Sequence, residues 1–279
     1  MFRHTYAELL SSLLFGDKAH HEINERTGQG IRSLPPTSFS IDLSNNILPV
    51  CGVRKTYPAT AAAEVAWFIQ GTKDPEFISR YAPIWDKFKE EDGTIEAAYG
   101  PRWRSHFGRD QLVDAIETLA KDPTDRRCWI STWDPATDGL GQPSKSVPCP
   151  VGFSLSIRDG RLNSALMIRS SDVFVGLPYD VMGHALLMRI IASSIGRTAL
   201  GTMHVTLAHP HLYDVHKEMG WQAMVSPPGD ASLIMPRDWE LFGVEKNPEK
   251  YVQHIKELAS FDLAAGKAPV FSCKPELVI

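Results

Sequence analysis

Cysteine is scarce in this chain and never paired. Cys51, Cys128, Cys149 and Cys273 are spread over 279 residues without a CxxC spacing. That distribution argues against a zinc knuckle and fits a reducing compartment. Positive charge is not in excess either. The 29 Lys and Arg face 33 Asp and Glu, for a net charge of -4 and a pI of about 6.2. No global basic field exists to attract nucleic acid, so a small anionic ligand would need a local arginine cluster. No apolar run is long enough to span a bilayer. The opening stretch "MFRHTYAELLSSLLFG" reads as a short amphipathic helix without a cleavage site. Internal repeats, low-complexity tracts and obvious linkers are also missing. These absences lead us to expect one cytoplasmic domain over residues 1–279, with neither a membrane nor a nucleic acid as partner.

What is present is a chain that is 43% hydrophobic, enough for a sizeable core. A helix is expected over residues 5–15 and strands within 31–53. "ATAAAEVAWFIQG" reads as a buried helix closed by Gly71. "GRDQLVDAIETLAKDP" is amphipathic, with Leu112, Val113, Ile116 and Leu119 inward, and "RRCWISTW" alternates like a strand. "GFSLSIRDGRLNSALMIRS" places two strand patterns around Asp159-Gly160, a favoured hairpin turn. After Pro178 the pattern reads as a buried helix, with Val181, Ala185, Leu186, Ile190 and Ile191 as its apolar face. "GTMHVTLAHPHLY" is a strand running into a loop, and "PEKYVQHIKELASF" a late helix. The Gly/Pro/Ser-rich "ATDGLGQPSKSVP" is expected to be a mobile loop. Helices and strands mix without βαβ regularity, which predicts an α+β fold.

Several residues draw attention without deciding anything alone. Cys149 stands between two prolines. A lone cysteine is ordinarily buried and inert, and a nucleophile would need nearby cations to lower its pKa. Asp180, at the mouth of an apolar helix, is explained as well by the helix dipole as by chemistry. "HPH" suggests a metal site, but no third ligand with sensible spacing appears.

Taken in order, however, "RTGQG", "EVAWFIQG", "IWDKF", "AAYGPRWR", "DPTDRRCWISTWDP", "VPCPVGF", "IRSSDVFVGLPYDVMGHALL" and "HPHLYDVH" resemble the thymidylate synthase family over residues 26–216. The resemblance implies a mixed β-sheet packed with helices, one sheet face forming a homodimer interface. It implies a pyrimidine nucleoside monophosphate as substrate and 5,10-methylenetetrahydrofolate as one-carbon donor, without a metal. Cys149 matches the nucleophile that adds to carbon 6, which converts the ring into a species nucleophilic at carbon 5. Glu64 matches the glutamate that organises water and relays protons. Tyr99 matches the tyrosine that assists proton removal from carbon 5, although a packed aromatic would look the same. Arg26, Arg126, Arg127 and Arg169, with Ser170, match a phosphate cluster. The adjacent pair Arg126 and Arg127 would reach across from the other subunit, so the dimer would share its active sites. His211 and Tyr213 match the sugar-hydroxyl pair. Trp85, Asp172 and Gly176 match folate-side positions, though Trp85 also suits a plain core.

At the position of Asp180 a thymidylate synthase carries asparagine. An ionised carboxylate offers only acceptors. It fits the 4-amino group of cytosine and repels the 4-carbonyl of uracil, and a shared proton would supply the second bond. The change resembles the cytidylate hydroxymethylase branch. There, water adds to the exocyclic methylene, where a thymidylate synthase uses hydride from the folate. Other departures are Pro150, Ile168, Gly183, His184 and His209, and the tail "FSCKPELVI" beyond a family-like "GKAPV". The expected function is therefore folate-dependent 5-hydroxymethylation of dCMP or CMP. The alternatives are a cytidylate methylase or divergent thymidylate synthase with hydride transfer, and a catalytically silent nucleotide- or RNA-binding relative. The residues do not choose between ribose and deoxyribose, nor between DNA modification and antibiotic synthesis as purpose.

Overall fold

The computed structural model describes residues 2–25, 27–141, 146–196, 198–225 and 233–264. Helix α1 (Phe2–Phe15) buries Tyr6, Leu9, Leu10, Leu13 and Leu14 along one side and begins three residues before the expected 5–15. Strands β1 (His20–Asn24), β2 (Gln29–Ser33) and β3 (Thr37–Asp42) follow. Helix α2 (Pro58–Gln70) starts on a proline and stops at Gly71, whose φ of 68° makes the left-handed cap that glycine permits. Two single turns, α3 (Glu76–Ser79) and α4 (Tyr99–Pro101), precede α5 (Gln111–Lys121). The Asp110 side chain accepts from Val113 N at 3.1 Å and caps α5.

The central run comprises β4 (Trp129–Ser131), β5 (Pro150–Arg158), β6 (Arg161–Ile168), β7 (Ser171–Asp172), α6 (Leu177–Ser194), β8 (Ala199–Leu207) and β9 (Pro210–Tyr213). Helices α7 (Lys217–Val225), α8 (Leu241–Lys246) and α9 (Pro248–Ala264) close the described chain. The "RRCWISTW" segment yields only the three residues of β4. The hairpin between β5 and β6 turns on Asp159 and Gly160, both with positive φ, as a tight turn matched to strand twist requires.

The strands form two mixed sheets, in the orders β1-β2-β9-β7 and β3-β8-β6-β5-β4. The fold is α+β. One connection departs from the expected absence of βαβ regularity: β6 and β8 pair in parallel, joined through α6. In that position α6 is the buried helix that its pattern suggested. It is buried on nearly every side, from Leu177 to Ser193, because it packs between the five-stranded sheet and α2. The inner face of that sheet is Phe153, Leu155, Leu162, Leu166, Ile168, Met203, Val205 and Leu207, all buried. The opposite face leaves Met167 and His204 exposed. The part of the "ATDGLGQPSKSVP" loop at 142–145 and the tail from 265 lie outside the described residues.

Candidate active site

The burial pattern of two helices locates the site. From 61 to 69 on α2 every residue is buried except Glu64. From 177 to 193 on α6 every residue is buried except Tyr179, Asp180 and Gly183. The helices pack against each other, and the charge of Asp180 reaches Glu64, so the two carboxyls share one partly open cavity between them. Glu64 Oε1 accepts a 2.8 Å hydrogen bond from Trp85 Nε1. Trp85 is thus a ligand of the glutamate as well as part of an aromatic wall, 5.2 Å from Trp67 and 6.0 Å from Tyr99 between centroids. Burial pushes the Glu64 carboxyl up to about 8; the Trp85 bond offsets part of that rise and the charge of Asp180 adds to it. Burial, with Asp172 nearby, pushes Asp180 up to about 7. Two carboxyls in one cavity therefore hold exchangeable protons close to neutrality, which suits general acid and base work.

Tyr99 enters the same cavity from α4. Its ring lies 4.6 Å from Phe68. Its phenol is held well above the ordinary value, first by burial and then by Cys149, Asp180 and Glu64 around it, against a hydrogen bond with the Cys149 backbone. Glycine is needed at the next position, because a side chain on Gly100 would run into the backbone of Phe68. This close approach sets Tyr99 against α2.

Cys149 carries a half-buried thiol outside any disulfide, just before β5. Its carbonyl accepts from Arg169 N at 2.9 Å. The Arg169 guanidinium straps the preceding chain, with Nε on Pro148 O at 2.9 Å and Nη2 on Val147 O at 3.0 Å. It lies 5.4 Å above the ring of Trp133. One basic side chain thereby orders the cysteine loop and brings a positive charge beside it.

Asp172 sits where β7 turns into α6. Its Oδ1 accepts from the backbone N–H groups of Phe174 and Val175, each at 3.0 Å. Its Oδ2 is buried without a hydrogen bond among the described residues, 4.0 Å from His216 Nδ1. A buried acceptor left this way costs about 1–3 kcal/mol, and a ligand N–H would recover that cost. Gly176 belongs to the same turn: a Cβ there would stand 3.7 Å from Asp180 Oδ2. His211 pairs with Asp172 in the sheet. Its ring meets Tyr213 edge-on at 5.1 Å, and its Nδ1 bonds His209 O at 3.1 Å. Ser170 is half-buried in the bend between β6 and β7.

The arginines do not all converge within one chain. Arg126 and Arg127 are exposed, and Asp125 engages Arg127 Nη2 at 2.6 Å. The carbonyl of Cys128 accepts from Leu155 N, six residues along β5 from Cys149. At about 3.3 Å per residue that is about 20 Å, beyond the reach of an arginine side chain. Arg26 lies outside the described residues.

Two contributors escaped sequence reasoning. Arg54 is 2% exposed and donates to the carbonyls of Phe174 at 2.9 Å, Val175 at 3.1 Å and Lys55 at 3.2 Å. It holds the turn that carries Asp172 into α6. Trp133 lies beneath Arg169. Arg54 belongs to no periodic pattern, and Trp133, at the end of the alternating "RRCWISTW", carries nothing there that sets it apart from a packed aromatic.

A half-buried thiol, a phenol and two carboxyls thus stand close together in this α+β fold. A family model described as thymidylate synthase matches residues 4–235, a stretch that contains every one of these groups. The chain belongs to the thymidylate synthase family, whose members transfer a one-carbon unit from methylenetetrahydrofolate to a pyrimidine nucleotide. No helix among the described residues is long and apolar enough to cross a membrane. Nor do those residues include a cluster of three or more His, Cys, Asp or Glu able to hold a metal ion.

Proposed function

We propose that this enzyme 5-hydroxymethylates a cytidine monophosphate, CMP or dCMP, with 5,10-methylenetetrahydrofolate and water. The observation that carries the reading is the carboxyl of Asp180, which faces the cavity one turn into α6 and exchanges its proton near neutrality. As a carboxylate it accepts from the 4-amino group of cytosine. With the proton shared between the acid and N3, a second bond forms, and the ring becomes more electrophilic at carbon 6. Cys149 adds there. Tyr99, on the cysteine side of the cavity, helps remove the proton from carbon 5, and Glu64 relays protons. Arg169 and Ser170 bind phosphate, and His211 and Tyr213 the sugar hydroxyls. Trp85, Asp172 and Gly176 hold the folate; the unpartnered Asp172 Oδ2 suits the N–H groups of a pterin ring.

The phosphate site is completed in this reading by Arg26 and by Arg126 and Arg127 of a second copy. The 20 Å estimate along β5 supports this arrangement, because one chain's own pair does not reach its own cysteine. The open face of the five-stranded sheet is the proposed dimer interface. One catalytic domain, a cytoplasmic location and the absence of metal, membrane and nucleic acid complete the proposal.

A second reading is favoured by the same carboxyl. When protonated, Asp180 donates as an amide would, and a uridylate then fits, as in methylation with hydride transfer. The test is to incubate the enzyme and methylenetetrahydrofolate with CMP, dCMP, UMP and dUMP and weigh the products. The proposal predicts a hydroxymethylated cytidylate and no dihydrofolate absorbance. A methylated product, or exclusive use of dUMP, overturns it. Asp180→Asn should move the preference toward uracil nucleotides by roughly ten- to hundredfold, the equivalent of one mismatched buried hydrogen bond.

A further inference from the structure

Gly183 lacks the usual reasons for glycine in a helix. Its φ is not among the left-handed values. A Cβ built on it would meet only Val65 Cγ2, at 3.4 Å, and otherwise open space. This differs from Gly100, where backbone fills the position. Glycine in a helix interior costs about 1 kcal/mol relative to alanine. Gly183 is nonetheless placed in the middle of the most buried helix, where a methyl group fits.

The surroundings suggest what the space is for. Gly183 is one of three positions of α6 between 177 and 193 that are not buried. It stands three residues after Asp180, on the same helix face. Its one near neighbour, Val65, follows Glu64 on α2. The gap is thus walled by the segments that carry the two cavity carboxyls. The nearest wall is the Val65 methyl, so a water held there would take its hydrogen bonds from Glu64 and Asp180 on the flanking segments.

Resting on the function proposed above, we infer that the space reserved at Gly183 seats the water that adds to the 5-methylene carbon of the substrate. The step balances without a redox partner. The ring at that stage carries an exocyclic methylene on carbon 5 and the Cys149 sulfur on carbon 6. The water oxygen bonds to the methylene carbon, and its proton passes to the Glu64 carboxylate. The methylene double-bond pair moves into the ring. It then returns to form the C5–C6 double bond as the C6–S bond breaks, releasing the Cys149 thiolate and a hydroxymethyl product. Gly183 is a positioning residue in this scheme: it touches no reacting atom and acts through the water.

The test is Gly183→Ala in the full-length enzyme. In single turnover with 5-tritiated CMP or dCMP, tritium release precedes water addition and should stay within about threefold of wild type. Multiple-turnover formation of hydroxymethylated product should fall at least tenfold. A nucleotide adduct on Cys149 should accumulate by intact-protein mass spectrometry, and thermal stability should hold or rise. Unchanged product formation would overturn the inference, as would an equal loss of tritium release and product, since the methyl would then be blocking the nucleotide. A clear loss of thermal stability would overturn it too, because the space would then be structural. Failure of the wild type to release tritium from any cytidine monophosphate would instead refute the proposed function, and the inference with it.

Discussion

Replacing Asp180 by asparagine probes the cavity without reference to any substrate. Burial and the proximity of Asp172 raise this carboxyl from 3.8 to about 7. An acid with a raised pKa keeps a proton in the folded state that the unfolded chain has already released. Below pH 3.8 both states are protonated and the group contributes nothing. Between there and pH 7, each pH unit removes about 1.4 kcal/mol of stability, and above pH 7 the full cost of about 4 kcal/mol is in place. The carboxyl opens onto a solvent-accessible cavity, so we expect about 2–4 kcal/mol in practice. A neutral amide escapes this cost. Asp180→Asn should therefore match the wild type near pH 4 and be more stable at pH 8. The gap in melting temperature at pH 8 should be roughly 5–15 °C for a chain of this size. It should widen further toward pH 9, because Asp180 also raises Glu64. Melting curves of the unliganded proteins from pH 5 to 9 measure it. Parallel Tm–pH profiles with a constant offset would refute the reasoning, since they would mean that the carboxyl is as well solvated as one on the surface.

Other consequences follow for the proposed chemistry. Glu64→Gln should lower kcat by roughly 10²–10⁴, the usual worth of a positioned acid–base group, and erase the limb of the kcat–pH profile that Glu64 supplies; an unchanged profile would assign the limb elsewhere. Cys149→Ser should abolish turnover and adduct formation, read by intact-protein mass, and near-normal turnover would remove the covalent mechanism. Arg126→Ala/Arg127→Ala mixed with Cys149→Ser should regain about a quarter of wild-type activity, because half the random dimers then contain one intact shared site. No recovery from two soluble, inactive parents would show that the sites are not shared. Arg54→Met should destabilise the protein by about 2–4 kcal/mol, since the carbonyls of Phe174 and Val175 lose their donor in a buried setting; chemical denaturation measures this.

Local chemistry was legible along the chain. Asp159-Gly160 marked its hairpin because only a few residue types accept positive φ in a tight turn. Gly71 marked the end of α2 for the same reason. Eight ordered motifs sufficed to indicate the family, and it was that resemblance which singled out Cys149, Glu64 and Asp180 for the roles proposed. What a carboxyl or thiol can do is a property of the side chain, and that much is written in one dimension.

Burial and direction are written only in three. The pattern of α6 marked it as a buried helix, but periodicity cannot register which surfaces cover it, here a sheet and α2. Arg54, read along the chain, is one arginine among many; its role comes from two carbonyls about 120 residues away. Glu64 and Asp180 acquire their neutral-range protons from the desolvation that the packing of α2 against α6 imposes. The sequence determined which groups are available and which turns bend the chain. Tertiary packing decided which of those groups lose their water, because desolvation depends on everything that surrounds a side chain and hardly at all on its neighbours in sequence.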